Sequence, residues 1–384
     1  MNPKAKSREF IRWAGIHALW AMGVLRFLRW RLQKENAILV LMLHRVLTDK
    51  QKAGTNSESG MIVGAGVYRD MVTHILKHYR MVDITRPVPE FSGDRAGVGL
   101  SFDDGWQDNY EPVMRDRRER GVPATIFISP ALTGQDNPFW PERVRELLHQ
   151  HSEAEITGTV EALKKLDPAE RNVRIADIAA QRGSQHSHAG AVDCTMSWEQ
   201  MHALHNEGIT FASHTQDHEI LTSLPSLDLV DAELLASKHD LEAQFGQRCE
   251  VLAYPNGGHS DVVVEHTAAT GYRRAFTVVP GAWTRETDPL RIPRLNISDG
   301  RVSFGGGFSA AAFEYSVVWR AYRALQRAKA AHRAAHQAAH GGGHPAARPD
   351  AHHAKDSQAI QPSAQQTNRH ADTVPTATHA LRDR

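Results

Sequence analysis

Cysteine is scarce in this chain, with 2 in 384 residues, Cys194 and Cys249. Two thiols make no disulfide framework and no cysteine-built zinc site. They neither require nor exclude an oxidising compartment. Long apolar runs are lacking too. The longest charge-free stretch near the N-terminus, Trp13 to Leu25, has 13 residues, short of the about 18 that a membrane span needs. A cleavable leader is not expected either. Arg26, Arg29 and Arg31 stand where a small-residue cleavage site should follow the apolar run. There is also no charge excess, since the net is only +1. The basic residues do gather at one end: residues 1–34 hold eight lysines and arginines against Glu9 alone, a net +7, which leaves about −6 for the rest. Basic charge confined to one end is no nucleic-acid footprint, and no nucleic-acid partner is expected.

What is present divides the chain into three. Residues 1–34 read as a basic amphipathic helix. Two readings stay open for it. Residues 8–32 lie on an anionic membrane surface with Trp13, Trp20 and Trp30 at the interface, or the helix packs on the domain. Residues 331–384 are Ala, His, Gln and Pro with almost no large apolar side chains. They are expected to be disordered beyond a helical start, because such a segment buries too little to offset its ordering entropy. Eight of the 23 histidines lie there. His332, His336 and His340 fall on one helical face, as a metal scavenger would place them, although a plain low-complexity tail is the favoured reading.

Between these ends, residues 35–330 alternate strand-like and helix-like segments. "AILVLMLHRV" (37–46) is a continuous apolar run, as in a strand buried on both faces. "VGLSFDD", "PATIFIS", "ITFASH", "CEVLAYP" and "RRAFTVV" repeat the strand pattern. Helical stretches separate them, two of which end at Gly121 and Gly246. The repeat predicts an α/β domain on a parallel sheet, open or closed into a barrel. A mostly helical insertion, 131–196, follows one strand end and is expected to overhang the rim.

In such folds the reactive groups gather where strands end. Here those ends carry His44-Arg45, Asp103-Asp104, His214 with His218 four residues on, and Asn256-Gly257-Gly258. Two adjacent buried carboxylates repel each other and are costly to desolvate. A divalent cation at the rim would offset that cost. Asp104, His214 and His218 would then be its ligands, and Asp103 would be free as general base toward a water that the ion acidifies. The four-residue spacing sets the two imidazoles on one side of a helical turn. A solvated Asp-Asp-Gly turn is the plainer alternative.

"LSFDDG" and "SHTQDH" resemble the first two motifs of the polysaccharide deacetylases of the NodB-homology class, carbohydrate esterase family 4. "LMLHRVL", "VLAYPNGG" and "LRIPRLNI" resemble further stretches of one branch, so that the likeness covers about 37–300. The resemblance implies a distorted (β/α)7 barrel over 35–330. It implies a hydrolase that removes N- or O-acetyl groups from sugars with a divalent metal, most often zinc. By position, Asp103 would be the base, Asp104, His214 and His218 the ligands, and a backbone N–H near Asn256 the oxyanion donor. Tyr254 of the same motif and Trp106 are further substrate-contact candidates. Tyr110, Phe139, Trp140 and Trp283 join Trp106 as candidate sugar-stacking faces.

Two departures stand out. The third-motif arginine that orients the base in many members is Ala253 here, and Arg294 is expected to replace it. The late-strand histidine that acts as acid is missing, which leaves His44, or His259, for that role. The reading is thus a deacetylase of an acetylated glycan or sugar–lipid, of the kind used in exopolysaccharide assembly. It would reside in a bacterial cell, peripheral to a membrane or cytoplasmic. An O-acetyl esterase, a small linear amidohydrolase or a non-catalytic metal-containing carbohydrate-binding barrel are the alternatives.

Overall fold

The computed structural model describes residues 3–86, 94–182 and 192–340. Two helices come first, α1 (Pro3–Ala21) and α2 (Val24–Lys34), separated at Gly23, whose φ of 75° is left-handed. The barrel elements follow: β1 (Ile38–Leu43), α3 (Ala65–His78), β2 (Gly97–Phe102), α4 (Tyr110–Arg120) and β3 (Thr125–Ile128). The insertion supplies α5 (Trp140–Leu147), α6 (Glu153–Leu163) and α7 (Pro168–Arg182). Then come α8 (Trp198–Asn206), β4 (Thr210–Ser213), α9 (Leu227–Phe245), β5 (Val251–Ala253), α10 (Asp261–Ala269), β6 (Arg274–Phe276) and β7 (Leu295–Asn296). Finally α11 (Ala310–Glu314) passes through a π-turn into α12 (Arg320–His340).

All neighbours in the order β7-β1-β2-β3-β4-β5-β6 are parallel. The segment entering β7 closes the ring. Ile292 N–H donates to Ala275 on β6, whereas Ile297 N–H donates to Met42 on β1. This is the parallel α/β domain that the alternating pattern predicts, in the distorted (β/α)7 form that the resemblance implies.

Side-chain parity explains what faces where, because successive residues of a strand point to opposite faces. Ile38 and Val40 of β1, Phe127 of β3, Ala212 of β4, Val251 and Ala253 of β5, Phe276 of β6 and Ile292 fill the barrel interior. Leu39, Leu41 and Leu43 of β1 and Val98, Leu100 and Phe102 of β2 pack outward under the helices. The inward positions of β2 are therefore Gly97, Gly99 and Ser101. At Gly99 a Cβ would lie 2.1 Å from Ile84 Cγ2, so the interior has no room for a larger residue. Continuing each parity by one step past the strand end aims His44, Asp103 and His214 into the barrel mouth.

The N-terminal segment divides between its two readings. Leu25, Leu28 and Leu32 of α2 are buried, and Trp13 and Ile16 pack on Ala311 and Ala312. Arg29 pairs with the buried Glu314 at 2.5 Å. Trp13 is thus a core residue, as the packed reading has it and not the membrane-surface one. Trp20 and Trp30 remain 49% and 46% exposed. Among the described residues no helix is long and apolar enough to cross a membrane. At the other end, α12 runs on to His340, the helical start expected for residues 331–384. Its Ala, Arg and Gln are strong helix formers and no glycine interrupts them before Gly341. The remainder of that tail and the polar break at 183–191 lie outside the described residues.

Candidate metal centre and catalytic site

Asp104, His214 and His218 converge, with ligand atoms all within 4.8 Å of one another. Asp104 Oδ1 lies 3.5 Å from His214 Nε2 and 3.2 Å from His218 Nε2. Asp104 follows the inward Asp103, so parity alone would turn it away. Its φ of 74° redirects it, a conformation that Asp tolerates better than most residues. Gly105 completes the turn at φ 67°, where a Cβ would meet Ile128 Cγ2 at 2.7 Å.

The two histidines do not sit on a helical turn, as the spacing had suggested. Residues 214–218 form a bend with positive φ at Thr215 (65°) and His218 (59°). Glu233 of α9 holds it by accepting the Gln216 and Asp217 N–H groups, each at 2.9 Å. Burial pushes the Glu233 carboxyl up to about 7.

The donor set suits a divalent ion. His214 Nδ1–H donates to the Ala253 carbonyl at 2.7 Å, which leaves Nε2 as the atom facing Asp104. Trp106 Nε1–H donates to Asp104 Oδ2 at 2.9 Å and leaves Oδ1 to the histidines. Burial would raise the Asp104 carboxyl, but its hydrogen bonds to His214 and His218 hold it well below the usual range. Two imidazoles and one carboxylate on one side leave the opposite side open, as a catalytic zinc site requires.

Beside this set, Asp103 is clamped by Arg294. Burial alone would raise the Asp103 carboxyl, but Arg294 and His214 bring it below its usual value. Arg294 is fully buried, and its Nε–H donates to the Thr277 carbonyl at 3.0 Å. Ala253, at the position of the expected third-motif arginine, also faces the interior. Arg294 reaches the same space from the neighbouring chain segment.

His44 Nε2 stands 3.9 Å from Asp103 Oδ2. Burial lowers its pKa against the opposing pull of Asp104 and Asp103. Asn256 is exposed at the tip of the turn after β5, with φ 53°. His259 lies apart from the ligand set, with Nδ1 bonded to the Gly257 carbonyl at 2.8 Å.

Three expectations need correction. Tyr254 follows the inward Ala253, so parity turns its ring outward. It is fully buried, its hydroxyl donates to the Leu290 carbonyl at 3.1 Å, and its N–H donates to Phe276. It offers a substrate neither group. Trp106 has no open face: it is 0% exposed, with the Arg45 guanidinium 4.0 Å above its ring and Phe139 against it. It positions Asp104 and does not stack on sugar. Trp283 is buried and pairs with Ile38 at the opposite end of β1. Phe139 is also buried, edge-on to His218, while Tyr110 and Trp140 are half-buried.

The sequence reading noted Arg45 at a strand end but gave it no role. It is fully buried and donates to Asp108 at 2.7 Å and Asp193 at 2.8 Å. Through Asp193 it ties the returning end of the insertion to β1. Met196 N–H donates to Gly105 and Gln107 N–H to Cys194, so the insertion overhangs the rim. An arginine two residues past a wholly apolar strand was the available signal.

Residues 92–275 match the family model described as polysaccharide deacetylase. That segment is 184 of the 384 residues, and over it the chain is similar to the polysaccharide deacetylase family. A curated relative is YxkH of Bacillus subtilis (strain 168), which carries a provisional polysaccharide deacetylase name. It is 24% identical over 203 residues, covering 53% of this chain and 52% of that protein. The match thus spans about half the length of that relative. Among solved structures, the Streptococcus pyogenes deacetylase PplD in complex with acetate is 19% identical, with a TM-score of 0.48 over 69% of this chain and 94% of that one. IcaB from Ammonifex degensii is 15% identical, with a TM-score of 0.48 over 69% and 93%.

Proposed function

We propose that the protein hydrolyses N-acetyl groups on a glycan or sugar–lipid, releasing acetate and leaving a free amine. Asp104, His214 and His218 would hold a divalent ion, zinc before others. Bound there, it would supply Lewis-acid polarisation and a lowered water pKa. Asp103, ionised at neutral pH, accepts the proton of the attacking water. Arg294 fixes the direction of that carboxylate. His44, whose Nε2 stands 3.9 Å from Asp103 Oδ2, passes the proton taken from the water to the departing amine, and a backbone N–H at Asn256 faces the developing oxyanion.

The observation that carries this reading is the pairing of two neighbouring carboxylates with different partners. One faces two imidazoles, the other a single guanidinium. A site that only binds has no use for the second arrangement. The test is acetate release from N-acetylglucosamine oligomers by zinc-loaded protein, lost on chelation and regained on zinc return. Release that survives complete chelation would refute the metal assignment.

The exposed Phe10, Ile11, Trp20, Met22, Phe27 and Trp30, interspersed with arginines, support peripheral contact with an anionic membrane. Co-flotation with anionic vesicles, reduced in Phe27→Ser/Trp30→Ser, tests that contact. Equal flotation of the variant would refute it.

A further inference from the structure

A cavity of about 1540 Å³ lies away from the ligand set, between residues 277–293 and the first half of α12. Its wall is basic. Arg12, Arg301, Arg320, Arg323, Arg327 and Arg333 line it, and none of them forms an ion pair among the described residues. Arg291 and Lys329 also line it but are engaged by Asp288, Asp261 and Glu35. Glu286 is the single carboxylate of the wall.

This arrangement is costly as it stands. Arg320, Arg323 and Arg327 recur at i, i+3 and i+7 and so share one face of α12, where like charges destabilise a helix. Ala324 and Ala328 lie among them in the wall and leave space. Arg320 Nη1 is sealed from water without a hydrogen-bond partner. Burial lowers the Arg320 pKa, and Arg301 lowers it further. An anion between these guanidinium groups would remove both penalties. Guanidinium forks match phosphate oxygens two at a time.

Three of the lining residues follow strand ends on the rim side of the barrel. Thr277 follows the end of β6, His259 the end of β5 and Arg301 the end of β7, and all three line the cavity. The Thr277 carbonyl is the one that holds Arg294. We propose that this cavity binds a phosphate or diphosphate group, carried by a lipid headgroup or by a soluble phosphorylated sugar. The site stands whether or not Asp103 acts as a base.

The test is calorimetric titration of the full chain, with metal content measured before and after. The probes are inorganic pyrophosphate and monomeric dihexanoyl phosphatidic acid. At least one is expected to bind and to raise the melting temperature. Binding should weaken about tenfold or more in Arg320→Gln/Arg323→Gln. Arg323→Gln/Arg327→Gln, at two exposed positions, should weaken it with the fold intact. Asp103→Asn should bind as wild type does, which separates this proposal from the catalytic one. Pyrophosphate binding alone supports a soluble source, and lipid binding alone a headgroup. No binding of either probe, or equal affinity in both arginine variants, would overturn the proposal.

Discussion

Arg294 and Asp103 form a closed fork, with Nη1 2.6 Å from Oδ1 and Nη2 2.7 Å from Oδ2, both side chains shut off from solvent. A bidentate pair of this kind fixes direction as well as charge. Arg294→Lys keeps the charge and loses the fork. We expect kcat to fall on the order of 100-fold with KM little changed. Arg294→Ala leaves a buried carboxylate unpaired and should also cost about 3 to 5 kcal/mol of stability. Steady-state kinetics and urea unfolding check the two effects, and normal turnover in either variant contradicts the role given to Arg294.

Trp106 acts on the ligand set through one hydrogen bond. Trp106→Phe keeps an aromatic ring under Arg45 and removes the N–H to Asp104 Oδ2. Zinc affinity should drop about 10- to 100-fold, measured by competition with a chromophoric chelator. An unchanged affinity would mean that Asp104 needs no such support.

Zinc binding should be pH-dependent in a stated direction. Burial lowers the His214 pKa, but its hydrogen bond with Asp104 and the charge of Asp103 raise it above 6.5 overall. The imidazolium must lose its proton before it can ligate. Apparent affinity is therefore constant well above the raised pKa. Below it, affinity falls about tenfold per pH step for the one proton released. A flat profile between about pH 8 and pH 6 would contradict this.

Glu142 of α5 is buried near Asp104 and Arg45. Burial, with the charge of Asp104, pushes its carboxyl up from 4.5 to about 7. The proton is bound more tightly in the folded chain than in the unfolded one. The stability this gives is complete below 4.5 and is lost as pH rises through about 7. Glu142→Gln escapes the loss. Relative to wild type, the metal-free variant should gain on the order of 3 kcal/mol between pH 5 and pH 8, read from urea unfolding. An equal difference at both pH values would place the Glu142 carboxyl at its ordinary pKa.

Much of this site was legible in the sequence, because a strand fixes side-chain direction locally. His44, Asp103 and His214 each continue an inward parity. The two aspartates and the paired histidines stand close in the chain to the strand ends that carry them. What was not legible depends on closure of the ring or on packing from outside it. Arg294 was reached through the family resemblance and not through any local rule: it meets Asp103 across 191 residues, and only the passage of 292–297 from β6 to β1 brings them together. The same parity, applied to Tyr254, would have turned it away from the mouth. Trp106 looked available because Arg45 and Phe139, which cover it, come from elements distant in sequence. The bend at 214–218 needs Glu233 from α9, and no spacing rule foretells it.

The division of labour between Asp103 and Asp104 is the central claim. It is tested most directly by acetate release from N-acetylglucosamine oligomers, with bound zinc quantified in the same samples, for wild type and Asp103→Asn. The account predicts that wild type releases acetate. It also predicts that the variant holds the same zinc while release falls at least about 100-fold. Release at the wild-type rate by the zinc-loaded variant would contradict the account.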